Sequence, residues 1–152
     1  MGLTPEDRRI LRALRKNGRL SNVKLAKETN ISESACLRRT RHLEQTGVIR
    51  KYEAKLNAAK LGYKVSAYVI VQLDQRTEVD ARRFIEAVSK EERVVEAAVV
   101  TGGPDVILKV IAKDMEDFAD LTMRSLMTNK SVRDISSSLI LEQIKSDAGP
   151  PV

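Results

Sequence analysis

With 152 residues, 42% hydrophobic and 32% charged, the chain has material for one globular domain or two small ones. No apolar run approaches the roughly 18 residues of a membrane-spanning helix, and "MGLTPEDRRI" meets charge before any signal-like apolar core, so a cytoplasmic protein with no membrane partner is expected. A single cysteine and a single histidine exclude a disulfide framework and a Cys/His zinc cluster, and no metal or cofactor is expected.

Residues 1 to 60 hold 15 Lys and Arg against 6 Asp and Glu, whereas residues 61 to 152 hold 12 against 15. A basic module followed by a mildly acidic one points to a polyanion-binding head carried by a body with another task.

In the basic half, Thr4 caps a first helix, with Pro5 in its first turn and Asp7 completing a capping-box pattern; Ile10, Leu11 and Leu14 form its apolar stripe, and Gly18 ends it. A short second helix starts after Ser21, buries Leu25 and Ala26, and stops near Asn30, which tolerates the left-handed conformation of a tight turn. Ile31 plugs the gap. Ser32 then caps a third helix, the spacing of a helix-turn-helix.

On a helical wheel this third helix, "SESACLRRTRHLEQTG", separates into two faces. Cys36, Thr40, Leu43, Gly47 and, farther out, Leu37 form the inner stripe. Ser34, Arg38, Arg41, His42 and Gln45 lie on the opposite arc, and Arg39 sits on the shoulder at about 300° when Cys36 is the origin. Glu33 and Glu44 fall off the basic arc, so its charge has no acidic neighbours. Arginine forks suit guanine edges and phosphates, while Gln and Ser bond base edges or backbone. Ser34, Arg38, Arg41 and Gln45 are therefore expected to face the groove, with Arg39, His42, Arg50 and Lys51 on phosphates. Cys36, within the inner stripe, reads as packing rather than redox chemistry.

After Gly62, "YKVSAYVIVQL" alternates Val65, Ala67, Val69, Val71 and Leu73 on one face, the period of a half-buried strand. Asp80 caps a helix burying Phe84, Ile85 and Val88. "VVEAAVV" and "VILKVIA" are strands flanking a turn at Thr101 to Asp105, Asp114 caps a helix with Met115, Phe118, Leu121 and Leu126, and "ISSSLILEQI" is a closing strand. Strand, helix, strand, strand, helix, strand is the ferredoxin-like order, with both helices on one sheet face. The uncovered face, with Tyr68, Ile70, Ile140 and Ile144, calls for a second copy to bury it. In "TGGPD", turn chemistry accounts for Gly102, Gly103 and Pro104 but not for Asp105, whose carboxylate could take an ammonium while the glycine N–H groups receive a carboxylate. Ser136 to Ser138 either help to line that site or face solvent. "SDAGPPV" carries no packing signal.

"NGRLSNVKLAKETNISESACLRRTRHLEQTGVIRKYEAKLNAAKLG" resembles the helix-turn-helix and linker of the Lrp/AsnC, or feast/famine, regulators at Gly18, Arg19, Leu25, Ala26, Ser32, Cys36, Arg39, Leu43, Glu44, Gly47 and Ile49. "VVTGGPDVILKV" resembles the family's glycine-containing loop between two strands, with Gly103 and Val106 where acidic and aromatic residues are common. "SVRDISSSLILEQIK" resembles its last strand. The resemblance implies duplex DNA as partner, homodimers that assemble to tetramers or octamers, and a small-molecule effector, typically an amino acid, bound between dimers near Thr101, Gly102, Gly103 and Asp105, with Ser136 and Ser138 alongside.

The expectation is thus an α+β protein: a winged-type helix-turn-helix domain over residues 1–50, a linker strand over 51–62, a ferredoxin-like (ACT-like) effector-binding and oligomerisation domain over 63–145, and a disordered tail over 146–152. Its function is sequence-specific transcriptional regulation modulated by an amino acid or related metabolite. The alternative is an effector-independent architectural protein that wraps DNA. An enzyme is not expected, because the acidic residues of the second half have no His, Cys or phosphate loop beside them.

Overall fold

A computed structural model of the protein describes residues 2–74, 78–146 and 149–152. The chain forms two compact units, one of residues 1–55 with 145–152 and one of residues 56–144.

The first unit holds three helices. Helix α1 (Pro5–Lys16) is capped by Thr4, whose hydroxyl accepts from the Asp7 N–H while the Asp7 carboxylate accepts from the Thr4 N–H at 3.0 Å, the predicted reciprocal box. Helix α2 (Asn22–Thr29) is capped by Ser21 and ends on Asn30 at φ 53°, ψ 52°, the left-handed stop expected there. Helix α3 (Glu33–Gln45) is capped by Ser32, and Asn22 ties its first turn to α2 by donating to the Glu33 carbonyl at 3.0 Å. Ile10, Leu11, Ala13, Leu25, Ala26, Cys36 and Leu43 are the buried core, with Leu14 and Ile31 packed at its rim. Burial pushes the Cys36 thiol above its ordinary range, in keeping with a packing role.

Two expectations, for the linker and for the tail, differ from the structure. No strand forms over 51–62: the segment is irregular apart from a 3-10 turn at Ala59–Leu61, because a strand is stable only on a ladder and the ladder of this chain's sheet does not include it. The tail, expected to be disordered, is ordered at its end. Arg12 Nε donates to the Val152 carbonyl at 2.8 Å, Arg15 donates to that of Pro150 at 3.0 Å, and Val152 packs against the helical core. Two exposed guanidiniums on successive turns of α1 supply donors that the tail's composition does not announce.

The second unit is a four-stranded antiparallel sheet in the order β2-β3-β1-β4, where β1 is Val65–Leu73, β2 Val94–Val99, β3 Val106–Ala112 and β4 Val132–Leu139. Helix α4 (Glu78–Lys90) connects β1 to β2, and α5 (Met115–Ala119) continues as a π-helical segment, Asp120–Leu126, before β4. Ala67, Val69, Val71 and Leu73 of β1 and Val106, Leu108 and Val110 of β3 pack against Phe84 and Val88 of α4 and Phe118, Leu121 and Leu126 of the second helical segment. The π segment has a local reason: Leu121 and Leu126 are five residues apart, about 140° on an α-helix, and the wider turn closed by the Met127 N–H on the Thr122 carbonyl at 3.0 Å lets both face the sheet.

Two boundaries and two burial assignments shift from the sequence reading. Asp80 lies inside α4 rather than capping it, and its carboxylate pairs with Arg83 at 3.7 Å; the helix starts earlier. Ile85 and Met115 are exposed, one step outside the buried stripes. Strand β4 begins at Val132 and stops at Leu139, since one further bond, Ile140 N–H to Ser66 O at 2.8 Å, brings it to the start of β1, where its partner ends. Ile144 is therefore off the sheet and 93% exposed. The helix-free face is carried by Tyr68 and Ile70 on β1, opposite Lys109 and Ile107 on β3 and Ser138 and Ser136 on β4.

Candidate nucleic-acid interface

Helix α3 is pinned to its domain by Cys36 and Leu43, both essentially fully buried. That fixes its rotation and leaves Ser34, Arg38, Arg41, His42 and Gln45 exposed, as the wheel requires. Ser34, Arg38, Arg41 and Gln45 succeed one another at spacings of four, three and four, so they form one stripe. The stripe rises roughly 16 Å, the length of about five stacked base pairs. Neither Arg38 nor Arg41 forms an ion pair among the described residues. Leu37, expected at the margin of the inner stripe, is instead exposed beside them at 39%. An exposed apolar side chain next to arginine forks is suited to the methyl edge of thymine.

Arg39 has a task within its own unit. It turns back to α1, donating to Thr4 Oγ1 at 2.9 Å and Asp7 Oδ1 at 3.0 Å, with Glu6 at 3.6 Å. Its shoulder position places the guanidinium over the N-terminus of α1, where a capping carboxylate already waits. Within the chain it clamps α3 to α1, a task that the helical wheel did not assign to it. Burial would raise the Asp7 carboxyl, but the Thr4 hydroxyl and N–H and the Arg39 guanidinium outweigh it and hold the group below the usual carboxylate range. A carboxylate with a depressed folded pKa contributes stability that is complete above its unfolded pKa and is lost as pH falls through the folded value. The helical unit is therefore expected to lose stability on the acid side of about pH 4. Asp7→Asn should flatten that acid limb, measured by the pH dependence of its melting; an unchanged slope would remove Asp7 from the clamp.

His42 is exposed and borders a recess with Thr4, Asp7, Arg38 and Arg39, at the junction of α3 and α1. Arg50 is exposed beyond α3, and Lys51, also exposed, pairs with Glu53 at 2.5 Å, a solvated contact that a phosphate can displace. One anchor was not read from the sequence. Tyr52 donates to Glu44 Oε1 at 2.9 Å, and its ring edge lies 3.6 Å from where a Gly18 Cβ would stand. The start of the linker is thereby laid across the α1 terminus onto α3. Burial, with the Glu44 carboxylate beside it, pushes the Tyr52 phenol up to about 12, so it stays a donor at every physiological pH.

In the second unit, Thr101, Gly102 and Gly103 are exposed on the turn between β2 and β3. Gly102 has φ 113°, the conformation that favours glycine in a turn, whereas Gly103 has no positive φ. Asp105 has a structural task that turn chemistry did not reveal: its Oδ2 accepts the Leu73 N–H at 2.8 Å, its own N–H donates to Val71 O at 3.1 Å, and its carbonyl accepts the Val100 N–H at 3.0 Å. It thus stitches the loop to the end of β1. Ser136 and Ser138 lie on β4, separated from β3 by β1 and hence roughly 10 Å from it. One chain does not bring the loop and the serines together.

A basic, outward-facing third helix braced by two shorter ones, on a chain whose other half is a separate ferredoxin-like domain, defines a helix-turn-helix transcriptional regulator. Comparison with known proteins agrees. The family model described as winged helix-turn-helix DNA-binding matches residues 5–50, and that of the Lrp/AsnC ligand binding domain matches residues 66–150. The chain belongs to the Lrp/AsnC family of transcriptional regulators. It is 37% identical over 139 residues to the leucine-responsive regulatory protein of Rhizobium meliloti, covering 91% of this chain and 89% of that one. It is 33% identical over 150 residues to the transcriptional regulator AzlB of Bacillus subtilis, covering 99% and 96%. A transcriptional regulator of Neisseria meningitidis solved as an L-Met complex superposes with a TM-score of 0.93 at 31% identity, covering 98% of this chain and 97% of that one.

Proposed function

We propose that this regulator reads duplex DNA with Arg38 and Arg41, assisted by Ser34 and Gln45, and fastens to phosphates with His42, Arg50 and Lys51. The observation that carries the assignment is the stripe on α3: four polar residues in line and exposed, the two arginines without ion pairs among the described residues, on a helix whose rotation is fixed by Cys36 and Leu43. The protein works in the cytoplasm as a homodimer, burying the helix-free sheet face around Tyr68 and Ile70, and dimers assemble further into tetramers or octamers. A dimer presents two copies of α3 to half-sites one helical turn, or a multiple, apart. Footprinting on the DNA upstream of its own gene tests this: two protected segments in that phase are expected, and uniform protection without phase would overturn it.

An amino acid or close relative is the proposed effector, bound between dimers at the loop of Thr101, Gly102 and Gly103, with Asp105 below it and Ser136 and Ser138 supplied from elsewhere in the assembly. The neighbour solved with L-Met supports that ligand class. The loop is open to receive a ligand or a second copy, for a Cβ at Gly102 or Gly103 would meet nothing within 4 Å. In a thermal-shift screen of the common amino acids, one at about 100 times its Kd should stabilise the protein by about 2.7 kcal/mol. Silence across the panel would favour the second reading, an effector-independent DNA-wrapping protein. The engagement of Asp105 Oδ2 by the Leu73 N–H speaks for that reading. No catalytic role is assigned to either unit.

A further inference from the structure

Strand β2 is an edge of the sheet, and its sequence does little to blunt it. Val94–Val99 reads "VVEAAV", with Glu96 as its only charge and no proline, and Val95 and Val99 are 51% and 68% exposed. The opposite edge, β4, carries Arg133, Asp134 and three serines. An open apolar edge is a template for another strand, and natural proteins protect or use such edges.

The hydrogen-bond parity of β2 says which strand fits. The Ile111 N–H donates to the Arg93 carbonyl at 2.8 Å and the Asp105 carbonyl accepts the Val100 N–H at 3.0 Å, so the odd-numbered residues of β3 turn their backbone groups toward β2. Bonded and non-bonded pairs alternate along an antiparallel ladder, so Ala98 with Ile107 and Glu96 with Lys109 are the bonded pairs. The backbone groups of Ala97 and Val99 therefore point away from the sheet. The register slips between Val94 and Glu96, leaving Val95 as a bulge residue outside the regular edge. Four groups remain to be met: the N–H and C=O of Ala97 and the N–H and C=O of Val99.

We propose that the occupant of this edge is a second copy of the same strand, paired antiparallel about a two-fold axis through Ala98, with Ala97 opposite the partner's Val99 and Val99 opposite the partner's Ala97. This register matches all four outward groups of each copy with four of the other. Shifting it one way pairs Val99 with the partner's bulged Val95, and shifting it the other way pairs Ala97 with the partner's Thr101 in the turn. The charges agree as well. Glu96 faces the partner's Val100, and the two Glu96 residues stand four positions apart, roughly 13 Å along the strands. Ala97 and Val99 lie on the helix side, opposite Leu108 and Val106 of their own β3, so the exposed valines of the two copies cover one another's alanines. The seam joins two sheets edge to edge and leaves the Tyr68 and Ile70 face available. It is thus a contact separate from the proposed face-to-face dimer and depends on it only for the final assembly size.

Cross-linking and hydrogen exchange test the register. Ala98→Cys, on a chain whose own Cys36 is buried, should give a disulfide-linked dimer on mild oxidation. Glu96→Cys should not, because its sulfurs would stand beyond disulfide reach. Adding Val99→Lys, a charge on an exposed edge position, should abolish the Ala98→Cys cross-link and reduce the light-scattering mass of the assembly to that of the face dimer. In the native protein the Ala97 and Val99 amides should exchange at least about tenfold more slowly than in the Val99→Lys chain. The proposal is overturned by absence of the Ala98→Cys cross-link, by a cross-link that survives Val99→Lys, or by amides that exchange equally fast in both chains. A failed face dimer leaves a different mark: the native mass would be two chains, the cross-link would persist, and Val99→Lys would give monomers.

Discussion

Replacing Arg38 and Arg41 together by alanine is expected to weaken binding to the cognate duplex by about 2–4 kcal/mol, roughly 30- to 1,000-fold, while binding to random duplex falls much less. The two guanidiniums stand three positions apart on α3, exposed and without ion pairs among the described residues, so alanine removes the forked donors without disturbing the core. A fork on a guanine edge discriminates by about 1–3 kcal/mol, whereas a phosphate contact contributes to every sequence alike and appears in the salt slope. Arg50→Ala provides the contrast, with a uniform loss on both duplexes and a slope smaller by about one. Fluorescence anisotropy on both duplexes at several salt concentrations separates the cases. Equal losses on cognate and random DNA after the double substitution would make Arg38 and Arg41 phosphate clamps and move specificity elsewhere.

Arg39 shows where reading from the sequence stops. The wheel separates it from Arg38 and Arg41 by angle alone and places it on the shoulder, but angle does not say what the shoulder meets. Its partners lie more than thirty residues away, in a capping box that is legible as a local motif yet gives no sign that Asp7 has a lone pair to offer Arg39. Local signals of this kind, caps at Thr4, Ser21 and Ser32 and the left-handed stop at Asn30, were readable because each is decided by chemistry within four residues. The strands of the second unit were readable from alternation, and the ferredoxin-like order followed from their sequence. Details set by partners across the sheet were not: where β4 must stop depends on where β1 begins, and the duty of Asp105 depends on the Leu73 N–H, which is thirty-two positions away. The site on α3 was legible for the converse reason, since an exposed face needs no partner within the chain to define it.

Leu43→Ala is expected to have the largest effect on stability, about 3–5 kcal/mol, and to confine it to the DNA-binding unit. Leu43 is 1% exposed in a core of seven buried residues, three of which are alanine or cysteine, so little surrounding side-chain volume can collapse into the space left behind. A core this small supports a stability at the low end of the usual range, and the loss approaches the whole of it. The sheet unit has its own core of Val69, Val71, Leu108, Phe84 and their neighbours, with no residue in common. Calorimetry should therefore show the transition of the helical unit lowered or lost while that of the sheet unit stays in place, and light scattering should show the assembly intact with DNA binding gone. Phe84→Ala should produce the mirror image, a melted sheet unit and a broken assembly with the helical unit still folded. Coincident shifts of both transitions in either variant would mean that the two units unfold as one, and the division of labour drawn between them would fail with that result.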